Sequence, residues 1–262
     1  MKTLYYHASL ITGDVDRLFL PGGYLLVDGD RIAAVGVCGD EALPEADVRH
    51  DLAGRILMPG MISSHCHFYG QFVRGMPLSE PIYNWQQYLS RMWWRVDKAL
   101  DERQTYYSAL MGLVEGLKAG TTTYFDHQAS PNYITGSLDT IERAMRAVGG
   151  RGCLAYEVTD RDGAERAARG IAENERYIRA HQAEGDRFRG IFGLHASYSL
   201  SAETLERSSA VGNALNAGFH IHMAESEADV SDCYRRFDMH VVERLHEAGI
   251  LGEKTITAHN VH

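Results

Sequence analysis

The sequence predicts an α/β fold of the (β/α)8 TIM-barrel kind, on three observations. From Arg55 onward, short apolar runs alternate with amphipathic stretches six times, the pattern of βα units forming a parallel sheet through right-handed crossovers. Polar residues stand at the ends of those runs: His67, Asp126, His127, His195, His222 and His259. Barrel enzymes gather their chemistry at the C-terminal ends of the strands, where a ring lets such residues converge and an open sheet spreads them along a line. No G-x-G-x-x-G follows the first run, so the dinucleotide-binding alternative has no support.

In chain order, residues 1–55 read as short strands. One covers Leu4 to Thr12, and two more flank Asp28-Gly29-Asp30, a hairpin signal because these residues tolerate positive φ; Val48 to Leu52 is another. Such a segment is too small to bury a core alone. Ile56 to His67 is strand one of the alternating region. Asp101 to Gln104 forms a capping box opening a helix with apolar positions Tyr107, Leu110, Met111, Val114 and Leu117, closed by Gly120. Strand two is Thr121 to Phe125. Ser137 caps a helix through Val148; Gly152 to Val158 is strand three; Ala164 to His181 is an amphipathic helix. Gly190 to Ala196 is strand four, Ser201 caps the next helix, and Phe219 to Ala224 is strand five. His240 to Ala248 is helical, and Thr255 to His262 carries strand six.

Composition narrows the functional classes. Of 262 residues 45% are hydrophobic, enough for a sizeable core, and the net charge of −9 argues against nucleic acid or an anionic membrane as partner. Four scattered cysteines form no C-x-x-C, so neither a disulfide framework nor a thiolate zinc site is expected. The N-terminus lacks a signal-peptide core and no apolar run spans a membrane, which makes the cytoplasm the expected compartment. The 13 histidines carry more information. In a strand, His65 and His67 share one face and Cys66 takes the other, so two imidazoles can hold one divalent ion. On strand five, His220 and His222 share a face; His222 is nearer the mouth and the better ligand, whereas His220 reads as a hydrogen-bonded interior histidine. Glu225 lies where that strand ends, placed to shuttle a proton, and Glu227 and Asp229 read as solvated loop carboxylates. His195 can contact substrate or metal. His259 is the inward residue of strand six, and His262 cannot share its face. Phe68, Tyr69, Arg74, Trp85, Trp93 and Trp94 follow strand one and could line a pocket for a planar ring; His127 is a further candidate, with Asp126 as its orienter.

The segments MPGMISSHCHFYGQFVRGM, WWRVDKAL, TTTYFDHQASPN, YEVTDRDG, GLHASYSLSAETL, HIHMAESEADV, ERLHEAGIL and TITAHNVH together resemble the amidohydrolase superfamily. The similarity is to its branch of metal-dependent deaminases and chlorohydrolases, and most of all to SsnA-type aminohydrolases. The resemblance implies a metal-dependent hydrolase barrel over 56–262, with 1–55 as the N-terminal part of a composite β-sandwich domain. It implies His65, His67 and His222 as metal ligands, Glu225 as proton shuttle, and His259 as partner of the attacking water or developing oxyanion. His195 contacts substrate. One Zn²⁺ is implied, with Fe²⁺ as the alternative, and a small-molecule substrate losing ammonia at a C–N carbon. Two-metal members bridge their ions with a carboxylated lysine on strand three or four; here the lysines are Lys2, Lys98, Lys118 and Lys254, so a single ion is expected.

The family pattern also includes strands seven and eight, a strand-eight aspartate on the metal, and C-terminal strands completing the sandwich. The sequence ends at His262 without them, so a barrel truncated after strand six is expected. Its unpaired edges would invite a homo-oligomer or a complementary C-terminal fragment. Two alternatives follow: a non-catalytic remnant that binds metal or pairs with a subunit, and a cyclic amidohydrolase or chlorohydrolase.

Overall fold

The computed structural model describes residues 1–39, 42–78, 80–183 and 187–262. The chain divides into two compact units, Met1–Met61 and Ile62–His262. In the first, β1 (Lys2–Ile11) pairs antiparallel with β2 (Phe19–Asp28), and β2 with β3 (Arg31–Val37). The predicted hairpin closes at Asp28 and Arg31, with Gly29 at φ +60° as its first turn residue. β4 (Val48–Asp51) and β5 (Ile56–Leu57) run parallel to β1. The apolar cluster here is small, centred on Ala8, Leu10 and Leu20.

The expected strand one is two strands. Met58-Pro59-Gly60 breaks it: proline has no N–H to donate, so β5 stays with β1 while β6 (Met61–Cys66) pairs with β7 (Thr121–Gln128). Between β6 and β7 lie a 3-10 turn (Phe68–Val73), α1 (Trp85–Tyr88), a π turn (Leu89–Trp93), α2 (Trp94–Ala99) and α3 (Glu102–Lys118).

The second unit continues with α4 (Ser137–Val148), β8 (Arg151–Tyr156), α5 (Ala164–Ala180), β9 (Phe188–Gly190) and β10 (Phe192–Ala196). After these come α6 (Ala202–Ala214), β11 (Phe219–Met223), α7 (Glu227–Phe237), α8 (Val241–Glu247) and β12 (Ile256–His259). The strands lie in chain order, β6-β7-β8-β9 and β10-β11-β12. Expected strand four is split at Ile191, so β9 serves the first sheet and β10 the second. Ile191 still donates to Leu154 O, and Val158 bridges Leu194 in parallel, so one sheet runs into the next. Chain-order parallel strands with no reversal are the topology of a TIM-barrel-type hydrolase and lack the switch point of a doubly wound sheet. Two apolar clusters pack the helices on the strands, one around Leu113, Leu138, Ile141 and Phe188, the other around Val158, Phe192, Leu194 and Ile221. Among the described residues, no helix is long and apolar enough to cross a membrane.

The helices bring further corrections. The Asp101 capping box forms with Gln104, but α3 turns a different face inward. Thr105, Ser108, Ala109 and Leu113 are buried while Tyr107, Met111 and Val114 are exposed. Small residues win that stripe because Phe68 and Tyr124 press against Gly112 and Gly116, where a Cβ would collide. Ser137 begins α4 rather than capping it; the cap position is Gly136 at φ +84°, and the Ser137 hydroxyl donates to Ile134 O. Glu227 and Asp229 belong to a helix, α7, and Asp229 is buried. Its carboxylate accepts from the N–H groups of Tyr198 and Ala224, tying the ends of β10 and β11 together.

Candidate metal centre and active site

His65 and His67 leave the end of β6 with their rings 4.7 Å apart, while Cys66 points the other way, its thiol donating to Phe125 O. Asp126, fully buried at the end of β7, accepts the Phe68 N–H at 2.7 Å and lies 3.9 Å from Cys66 Sγ. It was expected to orient His127; instead it anchors both flanks of His67. Burial pushes its carboxyl up to about 7.

The histidine tautomers follow from the hydrogen bonds. His67 Nδ1 donates to His127 O at 2.7 Å, so its Nε2 is bare. His127 Nε2 donates to His220 O at 3.1 Å, so its Nδ1 is bare. His65 Nδ1 lies 2.8 Å from His220 Nε2, which makes His220 the hydrogen-bonded interior histidine expected and turns His65 Nε2 inward without a protein partner. His67 Nε2 and His222 Nε2 are 3.1 Å apart. Ring nitrogens of His65, His67, His127 and His222 lie within 4.8 Å of one another. Burial, reinforced by neighbouring rings, holds His65 down to about 2 and His67 down to about 4, with His222 and His127 well below the usual histidine range. These residues fit a divalent ion. Neutral imidazoles are what such an ion binds, and two nitrogens each ~2.0 Å from a tetrahedral ion sit about 3.3 Å apart.

A cavity of about 260 Å³ opens beside this cluster, lined by His67, His195, His222, Glu225, His259, Tyr69 and a group of aromatic residues. Glu225 Oε1 lies 3.3 Å from His259 Nε2. Burial, and then the negative charge of Asp229, push the Glu225 carboxyl up to about 7. Three non-glycine residues around this mouth sit in the left-handed region: Ala224 (φ +48°), His259 (φ +79°) and Asn260 (φ +52°). Backbone strain of this kind clusters at functional sites. His195 is buried and neutral, held down to about 3 by desolvation. Ser199 Oγ donates to Ala196 O and receives His195 Nδ1–H at 2.6 Å, leaving Nε2 as an acceptor with the Tyr198 hydroxyl 3.4 Å away.

The structure thus brings together His65, His67, His222, Glu225, His259, His195 and Tyr69. Three expected residues stand apart. Phe68 is buried against α3 and does not line the cavity. Arg74 is exposed just after the 3-10 turn and does not line the cavity. His127 was expected to meet substrate, but its ring is sealed beneath the histidine cluster with no exposed surface. Conversely, Glu157, Asp97 and Arg161 were not singled out from the sequence. Glu157 follows β8 by one residue and lines the cavity, as does Asp97 from α2. The available signal was positional: Glu157 closes an apolar run just as Glu225 does.

The amidohydrolase family model matches residues 56–262. The chain is similar to the 5-methylthioadenosine/S-adenosylhomocysteine deaminase of Desulfitobacterium hafniense, 32% identical over 256 residues, 96% of this chain and 56% of that protein. It is also similar to the 5'-deoxyadenosine deaminase of Methanothermobacter thermautotrophicus, 30% identical over 255 residues, 96% of this chain and 57% of that one. The chain therefore spans a little over half the length of the curated relatives it matches. Among solved structures, it is similar in fold to the atrazine chlorohydrolase of Arthrobacter aurescens TC1 complexed with zinc, with a TM-score of 0.80 at 22% identity, covering 99% of this chain and 61% of that one.

Proposed function

Because the chain belongs to the amidohydrolase family, we propose that it is a metal-dependent aminohydrolase that hydrolyses a C–N bond of a small nitrogen-rich substrate and releases ammonia. The observation that carries this reading is the convergence of ring nitrogens of His65, His67 and His222 beside the cavity that Glu225 and His259 line. His65, His67 and His222 would hold one divalent ion; imidazole suits zinc and iron alike, and zinc is proposed because it is the ion of the atrazine chlorohydrolase structure. When bound, such an ion supplies Lewis acidity that brings the pKa of water towards neutrality.

The remaining steps fall to the chain's own residues. Glu225, poised near 7, takes a proton from the attacking water as its oxygen bonds the substrate carbon. His259 donates a hydrogen bond to that oxygen or to the carboxylate 3.3 Å away, steadying the charge that develops. Glu225 then returns its proton to the departing nitrogen; the C–N bond breaks and ammonia leaves. His195 Nε2, an acceptor, receives a substrate N–H, and Tyr69 walls the ring with Trp93, 5.5 Å between centroids. Substrates of the adenosine type, as in the names of the relatives, supply the required amine on a planar ring.

On this reading, β6 to β12 supply six strands of the family's barrel over 56–262, and 1–55 contributes to a small β-sandwich. The test is metal analysis joined to an ammonia screen over aminated purines, pyrimidines, triazines and guanidino compounds. About one zinc per chain, lost in His65→Ala together with ammonia release, is the expected result. Unchanged metal content in His65→Ala would overturn the ligand set. Release of chloride rather than ammonia from a chlorinated triazine would move the chemistry to dehalogenation.

A further inference from the structure

The cavity wall away from the histidine cluster combines aromatic rings with carboxylates, and among the described residues no lysine or arginine lines it. We propose that the substrate is a cation, an amidinium or guanidinium group that Glu157 and Asp97 receive between indole rings. This rests on the aminohydrolase reading and makes a protonated amidine or guanidine, in place of a neutral adenosine-type ring, the group that loses ammonia. Glu157 is buried, and its Oε2 has no hydrogen-bond partner. Its nearest nitrogens are His127 Nδ1 at 3.5 Å and His195 Nε2 at 3.7 Å. Both are the unprotonated nitrogens of neutral rings, whose protons are committed to His220 O and Ser199 Oγ. Neither ring therefore donates to Glu157, and His195 Nε2 already has the Tyr198 hydroxyl 3.4 Å away. Asp97 is buried as well; one oxygen meets Arg161 and the other, Oδ1, has no partner. A buried carboxylate without donors is costly, and a planar group carrying several N–H donors satisfies both.

The surrounding charges favour a positive ligand over a neutral one. Asp97, Glu157 and Asp162 face only Arg161 and Lys98, and both cations are already held, Arg161 by Asp97 and Asp162, Lys98 by Asp162 at 2.7 Å. One negative charge is left over only when Glu157 is ionised; without a counter-ion it rests mostly as the neutral acid. Burial pushes the Glu157 carboxyl up to about 8, and a cation beside it supplies the missing counter-charge. The indoles add attraction for the same ligand. Trp94 already carries the Arg161 guanidinium 5.3 Å from its ring, while Trp85 and Trp93 line the same cavity.

All 3 tryptophans of the chain line this cavity, so intrinsic fluorescence reports on it. The experiment titrates the zinc-equilibrated chain with benzamidine, a cation, and with benzamide, its neutral isostere. Benzamidine should bind at least about tenfold more tightly. Glu157→Gln, which keeps shape and removes charge, should erase that preference with zinc content unchanged. Asp97→Asn, which keeps an oxygen for Arg161, should reduce it. Equal affinities in the unaltered chain, or a preference that survives Glu157→Gln, would overturn the proposal. A second zinc per chain lost in Glu157→Gln would also overturn it, by assigning the carboxylate to a metal. Failure of the aminohydrolase reading would look different: the cation preference would persist without ammonia release.

Discussion

The two ends of the active-site cavity are built by different rules. At the histidine end, neutral imidazoles from β6 and β11 meet because strand parity and register demand it: His65 and His67 are two residues apart, and His222 pairs in register with Ala196 and Ala258. At the aromatic end, Asp97 and Trp94 come from α2, Trp85 from α1, Trp93 from the π turn, and Glu157 from just past β8. The first end repeats a geometry that any barrel of this kind can supply. The second depends largely on how the connection from β6 to β7, residues 67–120, places Asp97 and the tryptophans beside the cavity, a loop-borne element of the sort that carries specificity. Chemistry belongs to the strands, selection to the cover.

The largest effect that would sharpen this division is at Glu225. Replacing it with Gln removes the proton shuttle and leaves the ligand histidines intact. Ammonia release should fall by about 10²–10⁴-fold with zinc content unchanged, measured on the same sample by coupled assay and elemental analysis. A residual rate within about tenfold of the starting one would show that another group moves the proton.

Arg161 offers the matching cut at the other end. Its guanidinium and the carboxylates of Asp97 and Asp162 are nearly sealed from water, with side chains 8%, 2% and 4% exposed. Arg161→Met strands the buried Asp97 carboxylate and leaves Asp162 with Lys98 alone, and urea unfolding should show a loss of about 3–5 kcal/mol. A loss below about 1 kcal/mol would mean that water reaches the pair and that this end is softer than its burial indicates.

The same contrast explains what could be read in the sequence. Most strands, the hairpin and the Asp101 capping box follow from local pattern, and so do the metal-ligand candidates, since an H-x-H on a strand needs no partner to be recognised. What escaped depends on contacts across long separations. The face of α3 is set by Phe68 and Tyr124 pressing on its glycines. The role of Asp126 is set by an N–H 58 residues away. Asp229, taken for a solvated loop residue, is buried because Tyr198 and Ala224 donate to it. Glu157 has no motif of its own; its meaning comes from two histidines whose protons point elsewhere.

Asp126 gives a test of intermediate size. Its Oδ1 fixes the Phe68 N–H beside His67, so Asp126→Ala should weaken zinc binding by about 10–100-fold, the usual cost of losing a group that orients a ligand. Asp126→Asn retains an acceptor oxygen and should recover most of the affinity. Competition against a chromophoric chelator separates the two variants; equal weakening in both would show that charge, not the hydrogen bond, is what matters.

The smallest effect concerns the coupling of Glu225 to Asp229. Burial is the larger cause of the raised Glu225 carboxyl and the Asp229 charge the second. As a base, Glu225 must lose its proton, so kcat/KM should climb with pH through about 7. Asp229→Asn removes the charge but not the burial, which should move this rising limb to lower pH by less than about one unit. The variant would then outpace the unaltered chain below neutrality and match it above. Asp229 also accepts the Ala224 N–H one residue before Glu225 and, on its other oxygen, the Tyr198 N–H; an asparagine keeps one of these two hydrogen bonds. A limb that moves to higher pH, or a uniform loss at every pH, would show that Asp229 acts on the β11 mouth through its hydrogen bonds alone.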